Sequence, residues 1–560
     1  MCDPQTFDSR DSRYKRPYGA VPSGTRVELA LRPPRAGGFS AATLIAYFEH
    51  RDEERRELPM PWRGLEGDRD VFAVTLETGD YVGLVWYSFR LEGLDGRREE
   101  LGPFQLTVYD GAEEVPAWFG EGVTYQIFPD RFRRTRVPDP TGMVGGRSVH
   151  TGWEEEPVYR PDRNGEVRNR DFFGGDLAGV REKLGYLRGL GVDTLYFCPI
   201  FEAPENHRYG TGDYEKIDPM LGTEADFRAL CTDAHALGMR VVLDGVFNHQ
   251  GFVSRYFNGD GSYESVGAVQ SQDSPYYPWY HFSHWPDKYD SWWGIYSLPA
   301  VNEADSSYRR YIFGSNKIAY GVRRRHILGG HCDGLMNYPF RNALLSFLLG
   351  EDAFRFRQAM ETLRENYPPF AWRSAMNFLG THDTPRILTL LGTGGDGREH
   401  DKDWRAAFRM SPGQYALGKA RLKLGALVIF AFPGSPMVYY GDEAGMEGFE
   451  DPFNRRTYPW GREDGELLEW YTALGKARRA LPALRRGELA WTLTRGRVLS
   501  FLRTGAEGSV LAAVNAGERP EPIDLPWPAR DWMTGAALEQ GEQTLPPMTG
   551  WLLTPRPEGA

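Results

Sequence analysis

Three short segments carry the residues best suited to chemistry: Asp244-Gly-Val-Phe-Asn248-His249, Phe378-Leu-Gly-Thr-His382-Asp383 and Tyr439-Tyr-Gly-Asp442-Glu443. Each follows an apolar run that reads as a buried strand. Carboxylate and imidazole side chains move protons and bind ligands, and in a barrel of parallel strands such groups sit where strands end and loops begin. Asp244 alone reads equally well as a helix cap or a satisfied core acid. A carboxylate, an amide and an imidazole on one strand tip favour a site, and His382–Asp383 on a second tip strengthens that reading.

The elements that must position these tips follow from hydrophobic periodicity. Leu177, Val180, Leu184, Leu187 and Leu190 recur at helical spacing, and Gly191 ends that helix. Val192–Ile200 is then nearly continuous in apolar residues, the mark of a strand buried on both faces. Thr223 and Asp226 form a capping-box pattern that opens the next helix, and Met239–Phe247 is a second buried strand. Later strands are expected at Leu335–Phe340, Ala375–Thr381 and Pro436–Gly441. Repeated βα units of this period predict an α/β architecture with a parallel barrel or a doubly wound sheet. Gln250–Pro299 breaks the pattern: it is aromatic, loop-like and long, as functional insertions are.

Both ends have another texture. Residues 27–110 alternate apolar and polar positions in short runs divided by turn-rich segments, as in a β-sandwich. Short alternating runs return at Leu489–Leu493, Val498–Arg503 and Val510–Asn515, which predicts a small antiparallel β-domain. The expected division is 1–115, an N-terminal β-sandwich; 116–482, a (β/α) barrel with a loop domain at 250–300 after its third strand; and 483–560, a C-terminal β-domain. A length of 560 residues suits several cores rather than one.

Bulk composition excludes some partners. The formal net charge of −11 argues against nucleic acid, and the Arg323–Arg325 run reads as a solvated helix face. Cys2, Cys198, Cys231 and Cys332 are scattered without metal-ligand or disulfide spacing, and Cys198 sits in an apolar run as a small core residue. Met1–Tyr18 has no apolar signal core and no run approaches about 18 apolar residues, so the expectation is a cytoplasmic protein without a membrane span. Aromatic residues make up 14% of the chain, which suits sugar platforms and β-sandwich cores alike.

Several motifs in order resemble the α-amylase family of glycoside hydrolases, in its neopullulanase, cyclomaltodextrinase and maltogenic amylase branch. Tyr125-Gln-Ile-Phe-Pro-Asp-Arg131 resembles the first barrel strand, and Phe172-Phe-Gly-Gly-Asp-Leu177 the loop after it. Asn206-His-Arg-Tyr-Gly-Thr-Gly-Asp-Tyr214 is similar to the segment whose tyrosine stacks on the sugar at the cleavage point. Asp244–His249 and Phe378–Asp383 resemble the first and fourth conserved regions, and Leu298-Pro-Ala-Val-Asn302 the region closing the loop domain. The resemblance spans roughly residues 115–555. It implies an α-glucan or maltooligosaccharide ligand, with Tyr209 stacking on a glucose ring and Asp244, His249 and His382 bonding its hydroxyls. Asp383 would grip those hydroxyls harder as the ring flattens, which is transition-state stabilisation. It implies no organic cofactor, leaves calcium open at Asp176 with few oxygen ligands in Asp139–Gly146, and allows a homodimer.

The same resemblance exposes a gap. Retaining glycosidases need two carboxyl groups about 5–5.5 Å apart. In this family they lie in Gly-x-Arg-x-Asp and Gly-Glu-x-Trp strand ends, and neither motif occurs between His249 and His382. A barrel of eight units averages about 31 residues per unit. Asn302, at the end of unit three, lies only 34 positions before Met336 of strand six. Asp305–Phe313, a helix, runs into Ser315-Asn-Lys-Ile-Ala-Tyr-Gly, which resembles the sequence after strand five. The expected fold is therefore a (β/α)8-type barrel lacking strands 4 and 5 at a Gly314–Ser315 junction. Glu303 and Asp305 read as helix-start acids, and Asp442 and Glu443 as structural ones. Three readings stay open: a working α-glucan hydrolase, a non-catalytic glucan-binding or interaction relative, and the product of an in-frame deletion.

Overall fold

The computed structural model describes residues 6–49, 51, 54–112, 115–313, 328 and 332–556. Arg323–Arg325, the Gly314–Ser315 junction and Cys2 lie outside the described residues. The chain divides into two compact units, one comprising residues 1–121, 321–340 and 354–376, the other 122–320, 341–353 and 377–560.

In the first unit, strands Lys15–Arg16, Arg26–Leu31, Arg69–Glu77 and Trp62–Glu66 form one sheet. Val21–Pro22, Arg98–Tyr109, Gly83–Gly93, Phe39–Phe48 and Arg55–Pro59 form a second. Alternation explains the core: Val27, Leu29 and Leu31 point inward from one sheet, and Leu44, Ala46 and Phe48 from the other, all fully buried. Met336 makes one parallel bridge to Met376, shorter than the strand expected over Leu335–Phe340. A helix, Tyr338–Leu349, begins there instead, because Asn337 Oδ1 accepts the Phe340 N–H and Pro339 suits a first helical turn.

The second unit is built on a parallel sheet with the order Arg240–Leu243, Val192–Phe197, Val123–Ile127, Ser435–Tyr439 and Met376–Asn377. Val123–Ile127 and Ser435–Tyr439 are buried at every position, as central barrel strands must be. Arg240–Leu243, at the sheet edge, is exposed or half-buried along its whole length despite the sequence Arg-Val-Val-Leu. The strand expected over Ala375–Thr381 ends at Asn377. The chain turns there and passes so close to Asp442 that a β-carbon on Gly380 would lie 2.4 Å from its Oδ2.

Caps fall where the side chains allow. Thr223 and Asp226 form a reciprocal capping box on Glu224–Ala236. Asp305 Oδ1 accepts the Ser307 and Tyr308 N–H groups (2.9 Å each) at the start of Ser306–Phe313, so this acid is a helix cap. The aromatic insertion folds on its own core of Tyr256, Phe257, Trp279, Tyr280, Val301 and Tyr308. Toward the C-terminus a six-stranded sheet and a two-stranded one enclose Val498, Leu511, Ala513, Ile523, Leu525 and Leu553. Among the described residues Cys198, Cys231 and Cys332 are free thiols, and no helix is long and apolar enough to cross a membrane.

Candidate active site

Pleating puts alternate side chains on one face of the sheet, and the paired Gln126 and Tyr196 stand next to the carboxyl ends of Val123–Ile127 and Val192–Phe197; Asp244 continues Arg240–Leu243, and His382–Asp383 follow Asn377. Gln126 Nε2 donates to His382 Nδ1 (3.0 Å), which leaves the ring proton on Nε2. Tyr209 Oη lies 2.6 Å from that Nε2 and donates onward to Asp244 Oδ2 at 2.9 Å. Tyr196 Oη donates to the same carboxylate oxygen at 3.0 Å. The Tyr209 and His382 rings stack with centroids 5.1 Å apart and planes 12° off parallel. Tyr209, Asp244 and His382 therefore form one hydrogen-bonded cluster.

Asp383 joins that cluster at its open side. Its Oδ1 lies 3.2 Å from His382 Nε2 and 3.6 Å from Arg455 Nη2, and its side chain is 57% exposed. Arg455 is the organiser that the sequence did not reveal. Its Nε donates to the His382 carbonyl (3.0 Å), while Nη1 meets Asp451 Oδ1 at 3.0 Å. Asn454 Nδ2 donates to the same carbonyl at 2.7 Å. Gln126 and Tyr196 were also missed. A polar residue inside a strand otherwise buried throughout, as Gln126 is in Val123–Ile127, is the signal that could have found the first.

Burial governs the charges. It pushes His382 down to about 3, with the Arg455 guanidinium adding to the effect, so the ring is neutral near pH 7. Burial raises Asp244; the Tyr209 and Tyr196 hydroxyls oppose that, and the charge of Asp383 adds to it. Asp383, though its side chain is partly exposed, is raised by the desolvating protein around it, with Arg455 opposing and the Asp451 charge adding. His249, held down to about 4 by burial, sits beside the cluster, where Gly251 N–H donates to Thr211 O at 3.0 Å. Its Nδ1 pairs with Asn248 Oδ1 at 3.0 Å, and its ring stacks on Trp292 at 4.9 Å.

Two other acids have structural partners. Glu443 is fully buried, and its Oε1 accepts from Tyr125 (2.7 Å), Tyr186 (3.0 Å) and Tyr458 (3.0 Å). Asp176, which the resemblance offers to calcium, is a helix cap. Its Oδ1 accepts from Gly179 N–H (2.6 Å), and its Oδ2 from the backbone and hydroxyl of Thr135 (3.1 and 2.6 Å). Both oxygens face donors, so these residues do not fit a metal, and no group of three His, Cys, Asp or Glu is placed for one among the described residues.

The alpha-amylase catalytic-domain family matches residues 126–294 and 302–480, more than half of the chain. The chain belongs to the alpha-amylase family. A cyclomaltodextrinase of Geobacillus thermopakistaniensis is 30% identical over 73% of this chain and 72% of its own. An amylopullulanase of Thermoanaerobacter thermohydrosulfuricus is 32% identical over 90% of this chain, yet the chain spans only 40% of that relative's length. The type III pullulan hydrolase of Thermococcus kodakarensis superposes with a TM-score of 0.66 at 25% identity, covering 98% of this chain and 99% of that one. The fold is thus the alpha-amylase (β/α) barrel with β-domains at both ends.

Proposed function

We propose that this alpha-amylase family chain binds a glucosyl unit of an α-glucan at Tyr209, Asp244, His249, His382 and Asp383, and does not cleave the glycosidic bond. The observation that carries the reading is the run of hydrogen bonds from Gln126 through His382 and Tyr209 to Asp244. It presents an aromatic platform, a neutral imidazole and two carboxylates to one space. Hydroxyls of a sugar can donate to the carboxylates, and the partly exposed Asp383 has room for a ligand atom.

The reaction needs a nucleophile and an acid, and the sequence between His249 and His382 has neither strand-end motif that supplies them in the family. We read the barrel as lacking its fourth and fifth strands, with two supports. Arg240–Leu243 bears its apolar side chains half-exposed at the sheet edge, where a further strand would cover them. The cyclomaltodextrinase match runs over 469 positions, whereas 73% of 560 residues is about 409, so roughly 60 positions of the relative have no counterpart here. Two units of an eight-unit barrel come to about 60 residues. Residues 1–115 are proposed as a carbohydrate-binding sandwich ahead of the barrel (116–482, with the loop domain 250–300) and the C-terminal domain (483–560), with a homodimer covering the open edge.

Purified protein incubated with maltoheptaose, β-cyclodextrin or pullulan should release no reducing ends above a blank, while calorimetry detects glucan binding that Tyr209→Ala abolishes. A second reading has one observation in its favour: Asp244 and Asp383 both face the cluster around His382 and both are raised by burial, with the Asp383 charge adding to the shift of Asp244. Hydrolysis that Asp383→Asn abolishes would establish that reading and sink the first.

A further inference from the structure

The aromatic insertion returns toward His249 through a tight loop, Ser291–Leu298. Trp292 N–H donates to Leu298 O at 2.9 Å, Ser291 bridges Pro299, and His249 bridges Ala300, so the loop is anchored to the strand tip that carries His249. Trp293 within it has φ 51° and ψ 26°, the left-handed conformation that a β-carbon disfavours. It is also 85% exposed, although a large indole ordinarily gains by burial. No hydrogen bond among the described residues engages it. Two unfavourable features at one residue, strained backbone and solvated ring, are what a binding element displays before its ligand arrives.

The ring is not left to wander. It lies over Trp292 with centroids 4.4 Å apart and planes 9° off parallel, and Trp292 lies over His249 at 4.9 Å and 24°. His249 is in turn beside the Tyr209 loop. Beside the Tyr209–His382 stack a second one runs from His249 through Trp292 to an open indole face. We propose that Trp293 is an outlying sugar platform, taking the apolar face of a second glucosyl unit of the same α-glucan whose first unit sits at Tyr209. The proposal rests on the glucan-binding reading above. A flat, preoriented indole suits a pyranose face, and with one side packed on Trp292 only the other is offered.

Calorimetry on the full chain with glucose and with maltoheptaose tests this. Trp293→Ala should weaken maltoheptaose binding about tenfold and leave glucose unchanged, while Trp293→Tyr recovers most of the loss and guards against misfolding. Maltoheptaose should also quench tryptophan fluorescence in the wild type and less in Trp293→Ala. Equal losses for the two sugars, or none, overturn the platform. So does a wild-type dimer that Trp293→Ala converts to monomer with glucan binding intact, because the indole would then be an assembly contact. If the wild type binds no glucan, the underlying reading fails and the platform with it. Binding lost in Tyr209→Ala but kept in Trp293→Ala refutes the platform alone.

Discussion

Removing one oxygen atom from the centre of the cluster should cost stability in a pH-dependent way. Tyr209→Phe keeps the ring that stacks on His382 but deletes the hydroxyl that donates to Asp244 and accepts from His382. A hydrogen bond to ionised Asp244 is worth about 1.5–3 kcal/mol. Burial holds the folded carboxyl above its ordinary value, and once acid has protonated it the same contact is worth about 0.5–1.5 kcal/mol. Because the folded value exceeds the unfolded one, protonation of Asp244 favours folding, and that contribution is lost as pH rises through the folded value. Deleting the hydroxyl raises the folded value further and steepens the loss. The Tyr209→Phe penalty should therefore exceed its acid value by about 1 kcal/mol at pH 7. Urea unfolding of both proteins at pH 4 and pH 7 measures it, with Tyr196 still bonded to Asp244 as the internal limit. A penalty that is equal at the two pH values, or larger at pH 4, would refute the assigned roles of hydroxyl and carboxylate.

Three further outcomes are expected. Trp293→Gly should be more stable than Trp293→Ala by about 1–2 kcal/mol, because only glycine takes φ 51° without strain; equal urea midpoints would contradict the backbone assignment. Glu443→Leu should cost at least about 3 kcal/mol, since three tyrosine hydroxyls and the Gly441 N–H lose their shared acceptor; a loss below about 1 kcal/mol would mean water replaces the carboxylate. The half-exposed Arg240–Leu243 edge should make the wild type bind an exposed-hydrophobe dye or self-associate, and a dye-negative, monodisperse monomer would argue against an open barrel edge.

What the sequence disclosed follows how local each signal was. The capping box of Thr223 and Asp226, the buried strand at Val192, and the alternating runs of the two β-domains depend on neighbours within a few positions, and the structure has each of them, whereas the buried strand expected over Met239–Phe247 is the shorter Arg240–Leu243, exposed or half-buried at the sheet edge. Strand ends were less legible. Asn337 ends pairing at Met336 because its side chain caps the following helix, and the approach of Asp442 to Gly380 joins residues 62 positions apart, which no window of sequence displays. Site residues divided the same way. Tyr209, Asp244, His249, His382 and Asp383 stand in recognisable motifs, whereas Arg455 acts through a carbonyl more than 70 positions away and lies in a segment with no pattern of its own. Trp293 was visible only as one aromatic among many; its exposure and its left-handed backbone are properties of the folded loop.

The placement of the supports explains how recognition and bond cleavage can part company in such a barrel. Gln126 and Tyr196 lie in Val123–Ile127 and Val192–Phe197, Asp244 follows Arg240–Leu243, His382 and Asp383 follow Met376–Asn377, and Arg455 follows Ser435–Tyr439. These strands are consecutive in the sheet order, so the groups of the Tyr209–His382 cluster are braced by hydrogen-bonded neighbours within one continuous sheet. Side chains fixed by such second contacts keep their geometry without help from the far side of the barrel. The nucleophile and acid of the family reside on the strands opposite. A chain without those strands would keep a preorganised glucosyl site and lose covalent chemistry at once. Restoring about 60 residues that carry both carboxyl motifs should return hydrolysis without any change in Tyr209, Asp244 or His382, and the restored activity should then depend on Asp383. If the refilled barrel instead needs those three residues altered before it turns over, the site in this chain has drifted to another ligand, and the recognition argument fails along with the deletion.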